Sequence, residues 1–336
     1  MRIDGFSPPP GLRNRHVQTM LSSGPLRRAL VRKWSRELRR RATSGVLDVG
    51  GGVRLAVSHT AQNAEPRARG LLVVLHGWEG SSDSNYVLES GARALAEGWD
   101  VVRLNLRDHG GSHALNPGIF HSCRIDEAVG GLAAISARWS ARPLLLAGFS
   151  LGGNFALRMA HRAPQAGIDL AGLLAVCPVV DPTHSLHAIE AFSTVYERYF
   201  MHKWRGSLKL KQQAFPDAAL FNAGDLNLGL RELTRELVIR HTDFGSLDNY
   251  LDGYSIAGDR LAGLEVPARI LTSRDDPVIP VADFEPLRDI AAIDLDITDH
   301  GGHCGFIGGY HMRSFCPQYL ADWLATHQDA ATHAGD

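Results

Sequence analysis

From Val46 onward the chain alternates short apolar runs with stretches of helical period. Val46 to Val49 and Val53 to Ser58, joined across Gly50-Gly51-Gly52, read as a β-hairpin. After it come Leu71 to Leu75, Val101 to Leu104, Leu144 to Ala147, Leu173 to Val176, Ile270 to Thr272 and Ile293 to Ile297. Most of these are continuous apolar runs, the pattern of strands covered on both faces. Helical stretches fall between them, near 85–97, 124–139, 152–163, 281–290 and 314–326. The alternation predicts a mostly parallel twisted sheet with helices on both faces and right-handed crossovers, an α/β fold. It lapses between Asp181 and about Leu264, where the chain leans helical, is rich in aromatics and is too long for a simple loop. Residues 181–264 are therefore expected as a helical cap inserted into a core of 45–180 and 265–330. A cap over the carboxyl ends of the strands would close the crevice where open α/β sheets bind ligands. Its aromatics (Phe192, Tyr196, Tyr199, Phe200, Trp204, Phe215, Phe221, Phe244, Tyr250 and Tyr254) then either line an acyl pocket or form the cap's own core.

Residues 1–44 precede this core as an extension. Within it Leu26, Leu30, Trp34 and Leu38 recur every four residues amid eight basic residues and a single Glu37, which predicts a basic amphipathic helix over 26–42. The plain reading packs the apolar stripe on the core and leaves the charges in water. The sharper one is a peripheral membrane contact through the basic face. Over the whole chain 35 Lys and Arg balance 36 Asp and Glu, so no global field recruits nucleic acid or an anionic membrane. Cys123, Cys177, Cys304 and Cys316 are scattered without C-x-x-C spacing, as in a reducing compartment. The first residues, Met1 to Ser7, lack the apolar core of a secretory signal, and no apolar run approaches the roughly 20 residues that span a bilayer. A cytoplasmic location is expected.

The candidate chemistry sits where a strand turns into a helix. Leu144 to Ala147 is an apolar strand, Gly148-Phe149-Ser150-Leu151-Gly152-Gly153 a tight turn, and Asn154 to Ala160 a good helix start. Strand, G-x-S-x-G, helix is the setting of a nucleophile elbow in the α/β-hydrolase fold, with the serine exposed on a strained turn flanked by small residues. A serine hydroxyl needs a base to take its proton, and the base needs an orienting acid. In this fold they follow in the order Ser, Asp or Glu, His. Ser273-Arg274-Asp275-Asp276-Pro277 supplies two carboxylates after one strand, and Asp299-His300-Gly301-Gly302-His303 two imidazoles after the next. Hydrolases of this fold resemble G-x-x-D-x-x-x-P at the acid; with Pro280 in the last position, Asp276 takes the acid's place and Ser273 stands where glycine is usual. Their G-G-H-x-G-F pattern falls on Gly301 to Phe306 and selects His303, with His300 the understudy. The oxyanion donors are expected to be the backbone N–H of Leu151 and, from His76-Gly77-Trp78, that of Trp78.

Several segments resemble the YheT-like branch of α/β-hydrolases, a group related to the mammalian abhydrolase-domain lipases and yeast ethanol acyltransferases. They are Gly11-Leu12-Arg13-Asn14-Arg15-His16-Val17-Gln18-Thr19, His76 to Ser82, the Ser150 turn, the acid and histidine loops, and Thr242 to Tyr250. The chain departs from that pattern at Arg107-Asp108-His109-Gly110-Gly111-Ser112, where an Arg-Gly turn is usual, and at Gly50-Gly51-Gly52, where an acidic-glycine turn is. The resemblance implies hydrolysis of carboxylic esters, acylglycerols or shorter acyl esters, without a cofactor. Two other readings share the fold: transfer of the same acyl group to an alcohol, and a non-catalytic ligand-binding protein. Sixteen histidines raise a metal reading, but His184 with His187, His300 with His303, and Asp108-His109 with His113 form no H-E-x-x-H or complete ligand set, and no metal is expected.

Overall fold

The structure, a computed structural model, describes residues 6–63, 67–192, 194–222 and 224–327. Outside the described residues lie Met1 to Gly5 of the N-terminal reading, residues 328–330 of the expected core, and the side chains of Phe192, Tyr196 and Tyr199.

Eight strands form one sheet: β1 (Thr43–Asp48), β2 (Arg54–Thr60), β3 (Leu71–Leu75), β4 (Asp100–Leu104), β5 (Leu144–Phe149), β6 (Gly172–Val176), β7 (Ala268–Ser273) and β8 (Ile293–Thr298). Their spatial order is β1-β2-β4-β3-β5-β6-β7-β8. The β1–β2 hairpin and the β2–β4 pair are antiparallel, and every pair from β4 to β8 is parallel. The hairpin turn uses Gly50, Gly51 and Gly52 at φ values of 93°, 59° and 75°, a run of left-handed backbone that side chains resist. The strands' apolar runs divide by the period of two. Leu71, Val73 and Leu75 enter one core, whereas Leu72 and Val74 enter the other. Helices α5 (Ile125–Arg138) and α6 (Leu151–Arg162) supply the first core; α2 (Pro25–Trp34), α3 (Arg36–Arg41), α4 (Asn85–Ala96) and α11 (Cys316–Ala325) supply the second. The expected helix near 281–290 is instead a 3-10 segment, Val281–Asp289, with Pro286 inside it, where a missing N–H disfavours the α form.

The N-terminal segment corrects its reading in two respects. After α1 (Arg15–Ser23), the expected single helix over 26–42 is broken at Ser35, whose hydroxyl donates to the Val31 carbonyl at 2.7 Å. In α2 the buried face is also displaced by one residue: Leu26 is 62% exposed, while Arg27, Val31 and Ser35 are buried; Leu38 of α3 is buried as expected. Arg27 is accommodated because its guanidinium pairs with Glu89 of α4 and donates to the carbonyls of Ser22 and Met312. A periodicity that counts arginine as polar misplaces the buried face of α2 by one residue, although Trp34 still packs on the core's edge.

Between β6 and β7 the chain forms α7 (Pro182–Phe192), α8 (Thr194–Ala214), α9 (Leu230–His241) and α10 (Leu247–Asp252). Met201, Leu208, Leu233, Leu237 and Leu247 from these helices pack together as a separate apolar cluster. This segment, termed the cap below, is tied to the loop after β4 by a buried ion pair. Lys211 of α8 reaches Asp108 at 2.7 Å and the carbonyls of His113 at 3.2 Å and Asn116 at 2.5 Å.

Candidate active site

Ser150 sits between the end of β5 and the start of α6 with φ 54° and ψ −122°, a strained conformation for a residue with a side chain. Its neighbours explain why it holds. A Cβ at Gly148 would stand 2.2 Å from the Gly152 carbonyl oxygen, and one at Gly152 would stand 2.3 Å from that of His76. Only glycine lets the turn close this tightly. The Ser150 N–H is itself held by the Val176 carbonyl at 2.9 Å.

The loops after β7 and β8 bring the acid and base to this serine. His303 Nε2 lies 2.8 Å from Ser150 Oγ, and its Nδ1 lies 2.9 Å from Asp276 Oδ2. The other Asp276 oxygen accepts the N–H groups of Val278 (2.7 Å) and Ile279 (3.0 Å), so the carboxylate is fixed and the imidazole plane with it. Asp275 and His300 stand apart from this line. Asp275 Oδ1 accepts the Gly302 N–H at 2.9 Å, and its second oxygen is 3.5 Å from His300 Nδ1. The second Asp–His pair thus braces the loop that carries His303. Ser273, in the place where glycine is usual, adds a bond from its hydroxyl to the Gly302 carbonyl at 3.0 Å.

On the opposite side of Ser150 lies the loop after β3. A Cβ on Gly77 would be 3.1 Å from the Ser150 Cβ, so this loop lies directly against the serine. The Gly77 N–H is taken by the Tyr86 hydroxyl at 3.0 Å, the Glu79 N–H by His109 Nε2 at 3.2 Å and the Gly80 N–H by the Gly77 carbonyl at 3.0 Å. Among the described residues none accepts from the Trp78 N–H. Leu151 is the first residue of α6, a position whose N–H has no carbonyl within the helix.

The His76 and His109 rings lie 4.7 Å apart, tilted by 38°, and are scaffold by their bonding. His76 Nδ1 is 2.8 Å from the Gly77 carbonyl and its Nε2 accepts the Leu106 N–H at 3.2 Å. His109 meets the Arg107 carbonyl at 2.7 Å through Nδ1 and the Glu79 N–H through Nε2. One nitrogen donating and one accepting is the neutral imidazole. Burial agrees, pushing His76 down to about 4 and His109 well below its ordinary value. Glu79 is pushed up to about 7, first by burial and then by Asp108, against the pull of Lys203.

Ser150, Leu151, Trp78 and His303 line a cavity of about 1350 Å³ that also takes in α1, α2 and the cap. Of the cap aromatics whose side chains are described, Phe200, Trp204, Tyr250 and Tyr254 reach this cavity, the last three also packing in the cap's apolar cluster, where Phe221 and Phe244 pack without reaching the cavity. Phe200 stacks on the Trp78 ring at 5.5 Å and Trp204 meets it edge-on at 5.4 Å, joining the cap to the loop beside Ser150.

The sequence reading passed over the role of α1. Gln18, fully buried, donates to the carbonyls of Leu12 (2.6 Å) and Ile307 (3.0 Å) and accepts the Ile307 N–H (2.6 Å). Thr19 accepts the N–H of His303 itself at 2.9 Å. The segment Gly11 to Thr19 therefore holds the histidine loop from outside the sheet. The signal was a motif in a segment with no evident core role; its partner, 284 residues away, was not readable.

The candidate metal groups are otherwise engaged. His184 pairs with Asp283 at 2.8 Å, His113 with Ser207 at 2.9 Å, and His300 and His303 turn to different carboxylates. Among the described residues Cys177, His303 and Cys304 do converge, with ligand atoms within 4.8 Å of one another. Their thiols donate to the carbonyls of Gly302 and Val176, and burial pushes both thiols up, away from the thiolate a metal needs.

A family model described as "Alpha/beta hydrolase family" matches residues 72–311. "Putative esterase YheT" of Escherichia coli (strain K12) is 29% identical over 97% of this chain and 94% of its own. "Phospholipase ABHD3" of Mus musculus is 20% identical over 76% of this chain and 63% of its own. Among solved structures, a membrane phospholipase A described as a bacterial virulence factor superposes with a TM-score of 0.54 at 19% identity, covering 90% of each chain. No helix among the described residues is long and apolar enough to cross a membrane.

Proposed function

The chain belongs to the alpha/beta hydrolase family, and on that premise we propose that it hydrolyses carboxylic esters through an acyl-Ser150 intermediate. The observation that carries this reading is the continuous hydrogen-bonded line Ser150, His303, Asp276, with distances of 2.8 and 2.9 Å. Ser150 Oγ attacks the ester carbonyl while His303 Nε2 takes its proton, and Asp276 holds the Nδ1–H so that Nε2 faces the serine. The tetrahedral oxyanion is received by the N–H groups of Trp78 and Leu151, each such donor contributing about 2.7 to 4 kcal/mol. His303 then returns the proton to the leaving alkoxide, and water, deprotonated in turn by His303, releases the acid. No metal or cofactor takes part. The ester-cleaving names of the two relatives support the substrate class, and the apolar walls of the cavity suit an acyl chain.

The test combines labelling and turnover. A fluorophosphonate probe is expected to modify Ser150, and p-nitrophenyl esters of graded chain length are expected to be hydrolysed by the parent protein and not by Ser150→Ala. Labelling elsewhere, or ester turnover that survives Ser150→Ala, would sink the mechanism.

A further inference from the structure

The cavity does not end at apolar walls. Its outer end is built from α1 and α2, where Arg28 and Arg32 line it together with Met20, Ser22, Ser23 and Pro25. Arg28 and Arg32 are four residues apart and so share one face of α2. Both are exposed, and no carboxylate among the described residues lies within ion-pair distance of either. Their neighbour Arg27, by contrast, is consumed by Glu89 inside the core.

The acids on the cavity wall do not balance them. Asp83 is paired with Arg103 at 3.0 Å, and Asp108 with Lys211 at 2.7 Å. Burial pushes the Glu79 carboxyl up to about 7, which weakens it as a counter-charge. The mouth therefore carries uncompensated positive charge, and a concave site with low-dielectric walls focuses such a field. The same cavity is also lined by exposed apolar groups, Met20 at 56% and Leu210 at 51%. Apolar wall, nucleophile and basic rim together describe a site for an amphiphile with an anionic head.

We propose that Arg28 and Arg32 form an anion subsite at the outer end of the cavity, and that the preferred substrates are acyl esters bearing a phosphate or similar anionic group. The inference rests on the ester-hydrolase reading. Guanidinium groups suit it because they present planar pairs of N–H donors that match phosphate oxygens. The same chemistry could be met by the head of a single substrate molecule or by the headgroups of a lipid surface, and the two are separable by experiment.

The measurement is a selectivity ratio: kcat/KM for hexanoyl-glycerol 3-phosphate divided by kcat/KM for hexanoyl-glycerol, both as monomers. In Arg28→Gln/Arg32→Gln the ratio is expected to fall about tenfold, through KM, and Arg28→Lys/Arg32→Lys should recover part of it. Raising ionic strength should lower the parent ratio and leave that of the double variant unchanged. In parallel, sedimentation with phosphatidylcholine vesicles, with and without phosphatidylglycerol, reads surface binding. A loss seen only with phosphatidylglycerol vesicles assigns the subsite to headgroups of a lipid surface. A double variant matching the parent in both arms overturns the proposal. If the parent cleaves neither ester, or Ser150→Ala cleaves both, the acyl-serine reading fails, while the vesicle arm still judges the arginines.

Discussion

Three buried or nearly buried histidines surround Ser150 on two sides, and their bonding separates them more cleanly than their type does. On the side of the loops after β7 and β8, His303 gives one nitrogen to a fixed carboxylate and turns the other to the serine hydroxyl. On the side of the loops after β3 and β4, His76 and His109 commit both nitrogens to backbone groups. A histidine acts as a base only where one nitrogen is kept for the reacting proton; with both spent on the main chain it becomes a spacer. The largest test of the contrast is on the first side. Ser150→Ala and His303→Ala should each lower kcat/KM for ester hydrolysis by about 10⁴-fold or more, with folding unchanged by circular dichroism. Asp276→Asn should cost about 10³ to 10⁴, because the amide no longer fixes the tautomer that points Nε2 at Ser150.

The neighbouring pair sharpens the comparison. Asp275→Ala removes the acceptor of the Gly302 N–H and the partner of His300 but leaves the Ser150 line intact. A loss of about tenfold in kcat is expected from the loosened histidine loop. If Asp275→Ala proved as damaging as Asp276→Asn, the assignment of acid and brace would have to be exchanged. On the second side, His109→Ala leaves the Glu79 N–H and the Arg107 carbonyl without a partner. Urea unfolding should show a loss of about 1–3 kcal/mol, with turnover lowered less than in any variant of the first side.

Much of the fold was legible because its signals are local. Uninterrupted apolar runs such as Leu71 to Leu75, bounded by helical stretches, read as strands covered on both faces, and the strand, glycine-rich turn and helix around Ser150 form one continuous stretch from Leu144 to Arg162. What escaped is what depends on distant partners. Arg27 reads as a solvent residue until Glu89 is beside it, which is why the buried face of α2 was misassigned. Gln18 and Thr19 read as ordinary helix positions until the histidine loop reaches them. The 3-10 segment Val281–Asp289 carries an apolar pattern that suits either helix type, and only Pro286 hints at the outcome.

The smallest effect on turnover is expected at Glu79, and it separates the two sides by charge. Asp276 is surrounded by donors: two N–H groups and an imidazole. Glu79 has Lys203 and Asp108 as its charged neighbours, and burial dominates, pushing it up from 4.5 to about 7. Because the folded protein keeps a proton that the unfolded chain gives up near pH 4.5, folding is favoured at low pH. That contribution is full below about pH 4.5, declines as pH rises through the interval, and is gone above about pH 7. Glu79→Gln has no proton to lose there. Urea midpoints measured from pH 5 to 8 should therefore fall more steeply for the parent than for the variant, with the variant gaining relative stability at pH 8. Parallel lines across that range would mean that Glu79 is solvated and ionised like an ordinary surface carboxylate, and that the loop beside Ser150 is more open than its packing against Phe200, His109 and Lys203 implies.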